Sequence, residues 1–391
     1  MSNSQPDFCI RTITAGIELE SVGKLQPFDH ASRFLTSARE AFEEAGFVVQ
    51  GTRIATQPLN AVYSSRKHDE ALRVFRELDS AIAEAGHLLS VGPLIEDDRD
   101  DPEFSGWASE LVATAPHTFF SVAVASAELD VHHRSVRVAA DTMRAISKVD
   151  TNGEANLRFA AAARIPASTP FFPVAHHAGP AAFAIGLESA SLVGTAFAGT
   201  SGFDDATAAL SSLLESRLAP ALVVAEELAE KTSWIFRGFD LSPAPSLEAS
   251  IAGPIEGLTG QPFGAPSTLA ACAAITRGLD AVNLPTCGYS GLMLPLLEDR
   301  VLARRAAEGR FGIRELLLYS SVCGTGLDVI PLPGDVGVDE LAGLILDLAA
   351  LSSRLGKPLA ARLLPIPGKQ AGDPVAFDNP HLTDAVVLPL A

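Results

Sequence analysis

The chain has 391 residues, of which 47 are acidic and 29 are basic, so its formal net charge at pH 7 is −18. Such a chain lacks the basic face that binds a phosphate backbone, which excludes nucleic acid as an expected partner. Hydrophobic residues make up 47% of the chain and charged residues 19%, and this apolar content excludes an intrinsically disordered protein.

Short β-type runs alternate with helical periodicity along almost the whole chain. Strands are predicted at residues 9–19, 47–55, 87–92, 118–125, 157–163, 182–187, 234–241, 314–320, 358–364 and 385–390. Helices are predicted at residues 30–45, 67–85, 104–114, 132–148, 204–232, 267–280, 292–308 and 338–355. This alternation is typical of α/β proteins, and no linker divides the chain, so we expect one α/β domain over residues 1–391.

The cysteines and the chain start carry the expectation about location. The four cysteines have no CxxC or CxxH spacing, which argues against a structural zinc site and suits a reducing compartment. Residues 1–7 are polar and lack the basic and apolar regions of a signal peptide. No run of about 18 apolar residues is present, so we expect a cytoplasmic protein that does not cross a membrane.

The stretch LLLYSSVCGTGLDVIPLPGD, residues 316–335, is the richest in chemistry. Gly324 and Gly326 would let backbone N–H groups approach a substrate. Asp328 lies in apolar surroundings and is a candidate catalytic carboxylate. Cys323 is a candidate nucleophile, since a glycine-rich loop can stabilise a thiolate. The alternative is that the glycines serve only turns.

A second stretch, NLPTCGYSGLMLPLLED at residues 283–299, also joins a turn-rich loop to an apolar run. Ser290 is a candidate substrate-binding residue, although its GYSG context misses the nucleophile elbow of hydrolases. Glu298 is a candidate catalytic residue and Asp299 a candidate metal ligand. On a helix these neighbours would point about 100° apart, so only one would face a pocket. A solvated charged face is the alternative.

Two histidines and a further aspartate complete the candidates for metal or proton chemistry. His176 and His177 follow FFPVA in a loop, and in an extended chain at most one of them would face a given site. We interpret His177 as a candidate catalytic imidazole and His176 as a candidate metal ligand. Asp335 is a further candidate metal ligand, and its alternative role is to cap the helix predicted from residue 338.

Two charged residues in apolar strands are candidates for binding substrate. Asp240 closes the strand predicted at 234–241, where α/β proteins commonly place their sites. Arg11 lies in the first predicted strand, which we expect to be central and buried. A buried guanidinium needs a carboxylate or a ligand anion beside it.

Four segments together carry a resemblance to a known family: IRTITAGI, GFDLSPAP, GYSGLMLPLLED and VCGTGLDVIPLPGD, at residues 10–17, 238–245, 288–299 and 322–335. The chain resembles the family called domain of unknown function 711. This resemblance implies a single ten-stranded α/β barrel similar to that of pyruvate formate-lyase and other glycyl-radical enzymes. It also implies a link to amino-acid-related metabolism and an ACT-domain protein as partner.

The chain departs from glycyl-radical enzymes in two motifs. It has no Arg-Val-x-Gly-aromatic sequence near its C-terminus and no adjacent pair of cysteines. Barrel similarity therefore does not bring radical chemistry with it, because a fold does not determine a reaction.

These residues lead to two functional hypotheses. The first is an enzyme that acts on a small polar metabolite by acid/base or metal-assisted chemistry, as a hydrolase, lyase or isomerase. Its cofactor is unknown, with a divalent metal ion as one alternative. The second is a non-catalytic metabolite-binding or regulatory protein that works with an ACT-domain partner. Bound metal and substrate turnover would discriminate between them.

Two further expectations concern geometry. The loops at residues 287–290 and 323–328 each adjoin a predicted strand, so we expect them to face one another across one pocket. The helix predicted at 204–232 has an apolar face of leucines, from which we expect a homodimer.

Overall fold

The computed structural model describes residues 8–19, 26–64 and 66–390. Residues 1–7, on which the targeting expectation rests, lie outside the described residues.

Within this part, the chain forms twelve strands: β1 Cys9–Ile17, β2 Thr52–Thr56, β3 Leu88–Ile95, β4 Thr118–Ser126, β5 Asp130–Val131, β6 Phe159–Ala163, β7 Ala182–Glu188, β8 Ile235–Ala244, β9 Gly326–Pro333, β10 Leu359–Ile366, β11 Pro374–Val375 and β12 Ala385–Val386.

The same residues form twelve helices: α1 Gln26–Glu44, α2 Asn60–Ser64, α3 His68–Glu84, α4 Phe104–Thr114, α5 His133–Ile146, α6 Ala190–Phe197, α7 Phe203–Thr232, α8 Ala252–Thr259, α9 Thr268–Asp280, α10 Arg300–Ala307, α11 Ile313–Tyr319 and α12 Val338–Leu355. Two short 3₁₀ turns lie at Glu154–Arg158 and Leu296–Glu298.

Ten strands form one mixed sheet in the order β8-β7-β1-β2-β3-β4-β6-β10-β9, with β5 paired to β4. Strands β1, β2, β3, β4 and β6 run parallel to one another. Antiparallel pairs join β7 to β1 and β10 to β6, and β8 and β9 run parallel to these two neighbours. The α/β class and a ten-stranded sheet are therefore confirmed.

The two ends of this strand order, β8 and β9, are not paired with each other in the described sheet. An irregular segment, residues 284–294, forms backbone hydrogen bonds with β8 and with the loop that precedes β9. Phe239 N–H donates to the Pro285 carbonyl at 2.9 Å, and Gly324 N–H donates to the Leu292 carbonyl at 3.0 Å. The strand path is open, and the barrel that the resemblance implies stays a prediction.

Strand β1 is central and buried, as its sequence predicts. Helix α1 packs against it and buries Phe34, Leu35 and Phe42. Polar side chains of the sheet hold residues 170–177, because Thr14 Oγ1 donates to the Pro170 carbonyl at 2.9 Å and Ser90 Oγ to the Ala175 carbonyl at 2.6 Å. This irregular segment therefore lies against the sheet.

Three predicted elements are wrong. Residues 314–320 form helix α11 instead of a strand, because Ile313, Leu316 and Tyr319 are buried at helical spacing and Leu318 is exposed. The helix predicted at 292–308 begins only at Arg300, after a proline and an N-capping aspartate. The strand predicted at 385–390 is reduced to β12, which pairs with β11 outside the main sheet.

Helix α7 is long and apolar enough to cross a membrane by length and composition alone. A single such helix is weak support for a membrane span, since helices of soluble proteins pass the same test. The helix contacts helices α1, α6 and α9 and strand β8. Pairing of two chains through it stays a prediction.

Candidate active site

A cavity of about 100 Å³ lies between the sheet and the irregular segments. Five of its lining residues are charged: Arg11, Arg53, Glu298, Asp328 and Arg362. Two carry hydroxyl groups, Tyr289 and Thr325, and its apolar wall includes Phe171, Phe172, Val174, Ala160, Ala360 and Met293. The structure thus brings together three residues that the sequence proposed, Arg11, Glu298 and Asp328.

Four of the charged residues form a continuous chain of ion pairs. Arg11 Nη2 donates to Glu298 Oε2 at 2.7 Å, and Arg362 Nη2 donates to Glu298 Oε1 at 3.2 Å. Arg362 Nε donates to Asp328 Oδ1 at 2.7 Å. The carboxylate that Arg11 was expected to need is therefore Glu298, and a second carboxylate, Glu188, lies 3.7 Å from its Nη1.

Glu298 is the centre of this chain, because each of its oxygens accepts from a different guanidinium. Burial raises the pKa of this carboxyl, but the charges of Arg11 and Arg362 outweigh burial and hold the pKa below its ordinary value. Glu298 is therefore ionised at neutral pH.

Arg53 differs from the other two arginines of the cavity. Its guanidinium carbon lies 4.9 Å from the centre of the Phe172 ring, and no carboxylate of the described residues lies within ion-pair distance of it. Burial and then the charges of Arg11 and Arg362 lower the pKa of Arg53 to about 9, while Glu298 opposes them. At pH 7 Arg53 is still protonated, so it is a lining cation without a carboxylate partner among the described residues.

The two hydroxyl groups are also notable. Burial raises the pKa of Tyr289 well above its ordinary value, and the carboxylates of Asp328 and Asp240 raise it further, so the phenol stays protonated. Thr325 is 3% exposed, and its Oγ1 has no hydrogen-bond partner in the described part of the chain. A buried hydroxyl without a partner is costly unless a ligand or water satisfies it.

Irregular strand register places the charged side chains. In β9, Leu327 pairs with Ala361 and Ile330 pairs with Leu363, so two residues, Asp328 and Val329, lie opposite Arg362. Val329 has a φ of +46°, which is rare for a β-branched residue. A bulge of this kind turns a side chain out of the regular alternation, and such bulges are common beside active sites.

Asp240 lies behind the cavity lining and organises the loop at residues 287–291. It is fully buried and accepts hydrogen bonds from Tyr289 N at 2.8 Å, Ser290 N at 2.9 Å and Ser242 Oγ at 2.6 Å. Ser290 Oγ donates to the Cys287 carbonyl at 2.8 Å. Asp240 and Ser290 do not line the cavity, so the structure places them as supports for Tyr289 rather than as substrate ligands.

The loops at residues 287–290 and 323–328 lie side by side, and both line the cavity, through Tyr289 and through Thr325 and Asp328. Their backbones touch at two glycines. A Cβ added at Gly291 would lie 2.4 Å from the Gly324 Cα. The Gly324 N–H donates to the Leu292 carbonyl instead of pointing into the cavity as a donor to substrate.

Gly326 is required for a similar reason. Its φ is +95°, and a Cβ there would lie 2.4 Å from the Ala360 carbonyl oxygen. This glycine allows β9 to start beside β10, and it does not line the cavity. Its sequence-based assignment to substrate binding is not supported by this placement.

The cysteine thiols do not reach the cavity. Cys323 is fully buried in the core, and its carbonyl accepts a hydrogen bond from Lys357 Nζ. Burial raises the pKa of the Cys287 thiol well above its ordinary value, and Asp240 adds to this rise. A nucleophilic role for Cys323 therefore has no support, because the residue is packed as a small apolar side chain.

The two histidines also lie outside the cavity lining. The Nε2 of His177 lies 2.9 Å from the Gly179 carbonyl oxygen and 3.0 Å from that of Pro180, and its ring packs on Gly16. Burial lowers the pKa of both imidazoles. Their segment reaches the cavity through Phe171 and Phe172 instead, so the structure does not bring His177 together with Glu298 and Asp328.

The proposed metal ligands do not meet. No group of three or more His, Cys, Asp or Glu side chains suited to a metal ion occurs within residues 8–19, 26–64 and 66–390. His176 lines a separate cleft with Glu96 and Arg164, and Asp335 is exposed and accepts from Gln370 Nε2 at 3.0 Å. Asp299 has a structural role.

Asp299 joins the first turns of two helices. Its carboxylate accepts from Val301 N at 2.8 Å at the start of α10 and from Ile251 N at 2.7 Å at the start of α8. Replacing it with alanine is expected to destabilise the protein by about 2 kcal/mol or more, since one lost cap costs roughly 0.5–2 kcal/mol. Urea unfolding measures this, and the exposed Asp335→Ala is the control. Equal stability of the two variants would contradict the assignment.

Four polar lining residues were not among the candidates from the sequence: Arg53, Tyr289, Thr325 and Arg362. Two of them left a readable signal, since Arg53 in TRIAT and Arg362 in LAARLLPI are single charges inside apolar strands. The same argument that singled out Arg11 applies to both.

Comparison with known proteins supports the resemblance. A model of the family described as "Uncharacterised ACR (DUF711)" matches residues 2–378. A UPF0210 protein of Desulforudis audaxviator is 28% identical, covering 94% of this chain and 88% of the relative. One of Syntrophobacter fumaroxidans is 27% identical, covering 97% and 90%. One of Pyrobaculum aerophilum is 32% identical over 64% of this chain and 57% of the relative. Because the family match spans nearly the whole chain, this protein belongs to the DUF711 family.

Proposed function

We propose that the protein is an enzyme that acts on a small anionic metabolite in the cavity, with the negative group of the substrate bound to Arg53. The observation that carries this proposal is the pairing of the lining cations: Arg11 pairs with Glu298 and Glu188, Arg362 pairs with Glu298 and Asp328, and Arg53 has no carboxylate partner among the described residues. Removing a charge from water without a partner is costly, and a bound anion offsets that cost.

The groups beside Arg53 suit proton transfer. Asp328 Oδ1 accepts from Arg362, and no described residue donates a hydrogen bond to Oδ2, which is therefore free to take a proton from a substrate. The protonated Tyr289 phenol lines the same cavity and can donate a hydrogen bond to the substrate. A carboxylate base beside such a donor serves lyase, isomerase or hydrolase chemistry.

Non-catalytic binding is the second candidate function, since a binding protein also needs Arg53. Proton exchange discriminates between the two. For an enzyme, a bound substrate incubated in D₂O exchanges an acidic C–H for deuterium or forms product, and Asp328→Asn abolishes this while binding remains. A ligand that binds without exchange or product favours the binding protein.

The assembly of the protein belongs to the same proposal. The segment at residues 284–294 bonds to β8 on one side and to the start of β9 on the other, which supports closure of the sheet into the implied barrel. We also propose a homodimer, because α7 has an apolar face of leucines, and an ACT-domain partner, because the family resemblance implies one.

The test of the proposed function is Arg53→Gln. Binding of small carboxylates, measured by calorimetry, is expected to weaken by a factor of about 30 or more, because losing one partner of a buried charge pair costs at least about 2 kcal/mol. The ligand-free variant is expected to unfold at the same urea concentration as the wild type or a higher one, since an unpaired charge is removed.

The matched control is Arg73→Gln on the exposed face of α3, where Arg73 pairs with Glu77. This variant is expected to change neither quantity. Unaltered binding by Arg53→Gln would refute the anion-binding role. Strong destabilisation of the ligand-free protein would show that Arg53 is structural.

A further inference from the structure

We propose that the substrate is a carboxylic acid of two or three carbons with an oxygen on carbon 2, a 2-hydroxy or 2-oxo acid, and that the cavity discriminates against the 2-amino acid of the same skeleton. This inference rests on the proposed function and identifies the substrate class of the same site.

The size limit comes from the cavity. Its volume is about 100 Å³, whereas a cavity of about 150 Å³ holds benzene with its six carbon atoms. A ligand of on the order of six non-hydrogen atoms is therefore the upper range. Acids of two or three carbons that carry one further oxygen fall within it.

Charge disfavours an ammonium group. Arg11 and Arg362 donate to the two oxygens of Glu298, Arg362 also donates to Asp328 Oδ1, and Arg11 Nη1 lies 3.7 Å from Glu188 Oε2. The lining cation without a carboxylate among the described residues is Arg53. A 2-hydroxy or 2-oxo acid brings only the anion that Arg53 lacks, whereas a zwitterionic amino acid would also place an ammonium among three guanidinium groups.

The two hydroxyl groups give the substituent its chemistry. Thr325 Oγ1 is buried without a partner, and the Tyr289 hydroxyl lines the same cavity as a donor. A hydroxyl or carbonyl oxygen on carbon 2 has lone pairs that accept from both groups, and an ammonium has none. The remaining wall, with Ala160, Ala360 and Met293, offers no polar partner and suits a hydrogen or a methyl group on the substrate.

Calorimetry with two matched series tests the inference: acetate, glycolate, glyoxylate and glycine, then propionate, lactate and alanine. In each series the oxygen-bearing acid is expected to bind at least about tenfold tighter than the unsubstituted acid and the amino acid, because a site built to hydrogen-bond an oxygen rejects analogues that lack it. Thr325→Val is expected to bring lactate and propionate to similar affinities while propionate binding stays unchanged.

Each alternative result has a separate meaning. Alanine or glycine binding as tightly as lactate or glycolate, with loss in Arg53→Gln, would overturn the substrate class and leave the proposed anion site standing. Binding of inorganic phosphate alone, again dependent on Arg53, would do the same. Failure of every acid and of phosphate to bind the wild type would overturn both proposals.

Discussion

Glu298→Gln is expected to destabilise the native protein by about 3–5 kcal/mol, the cost of removing one partner from a buried ion pair. Glu298 is 8% exposed and accepts from both Arg11 and Arg362, so its loss leaves Arg362 with Asp328 and Arg11 with the more distant Glu188. Urea unfolding at pH 7 measures the change in free energy of unfolding.

The effect of Glu298→Gln depends on pH in a defined direction. Burial raises the pKa of Glu298, but Arg11 and Arg362 lower it below the ordinary 4.5 in the native state. Stability that a depressed carboxyl pKa provides is complete above the unfolded value and is lost as pH falls through the native value. The difference between wild type and variant is therefore expected to be constant above about pH 5 and to shrink below pH 4.5.

The control for this experiment is Glu77→Gln, which breaks an exposed pair with Arg73 on α3. We expect a change of less than about 1 kcal/mol, because solvent screens the pair and surface ion pairs contribute little. Similar destabilisation by the two variants would contradict the central position of Glu298.

Gly291→Ala is expected to destabilise the protein by about 3 kcal/mol and to abolish ligand binding, since forced overpacking costs roughly 1–3 kcal/mol and more where backbone must move. The new Cβ would lie 2.4 Å from the Gly324 Cα, and backbone cannot turn aside as a flexible side chain does. The two loops would separate and carry Tyr289 away from Thr325. Unfolding and calorimetry measure the two effects.

Gly343→Ala is the matched control, because Gly343 lies in the exposed face of α12 with no atom within 4 Å of an added Cβ. This substitution is expected to stabilise the protein by about 0.5–1 kcal/mol through helix propensity. A destabilising Gly343→Ala, or a neutral Gly291→Ala, would contradict the packing described for these glycines.

The sequence predicted most of the regular elements because their periodicity is local. Strand β1 and helix α1 follow directly from alternating and helical patterns in the first 45 residues. The strand predicted at residues 314–320 was wrong because its four apolar residues, LLLY, fit a strand and a short helix equally well. Only the burial of Ile313 and Tyr319 decides between the two.

The cavity was predicted only in part, for a physical reason. Asp328 and Glu298 stood out as carboxylates in apolar runs, and both line the cavity. Arg362 was readable as a single charge in an apolar strand, but its pairing with Asp328 and Glu298 could not be deduced, because a bulge between two strands determines which side chain faces which. Cys323 and His177 stood out by chemical type, but whether a reactive side chain is buried in the core depends on tertiary packing.

The strand order has a consequence for synthesis on the ribosome. Arg11 and Arg53 lie on β1 and β2, whereas Arg362 lies on β10, the last strand of the ten-stranded sheet to be made. The N-terminal strands leave the exit tunnel long before their charge network is complete, and large domains form such distant contacts late. A chain that terminates before β10 has no complete cavity, so the proposed metabolite would stabilise only the finished protein and would give a nascent or truncated chain no protection.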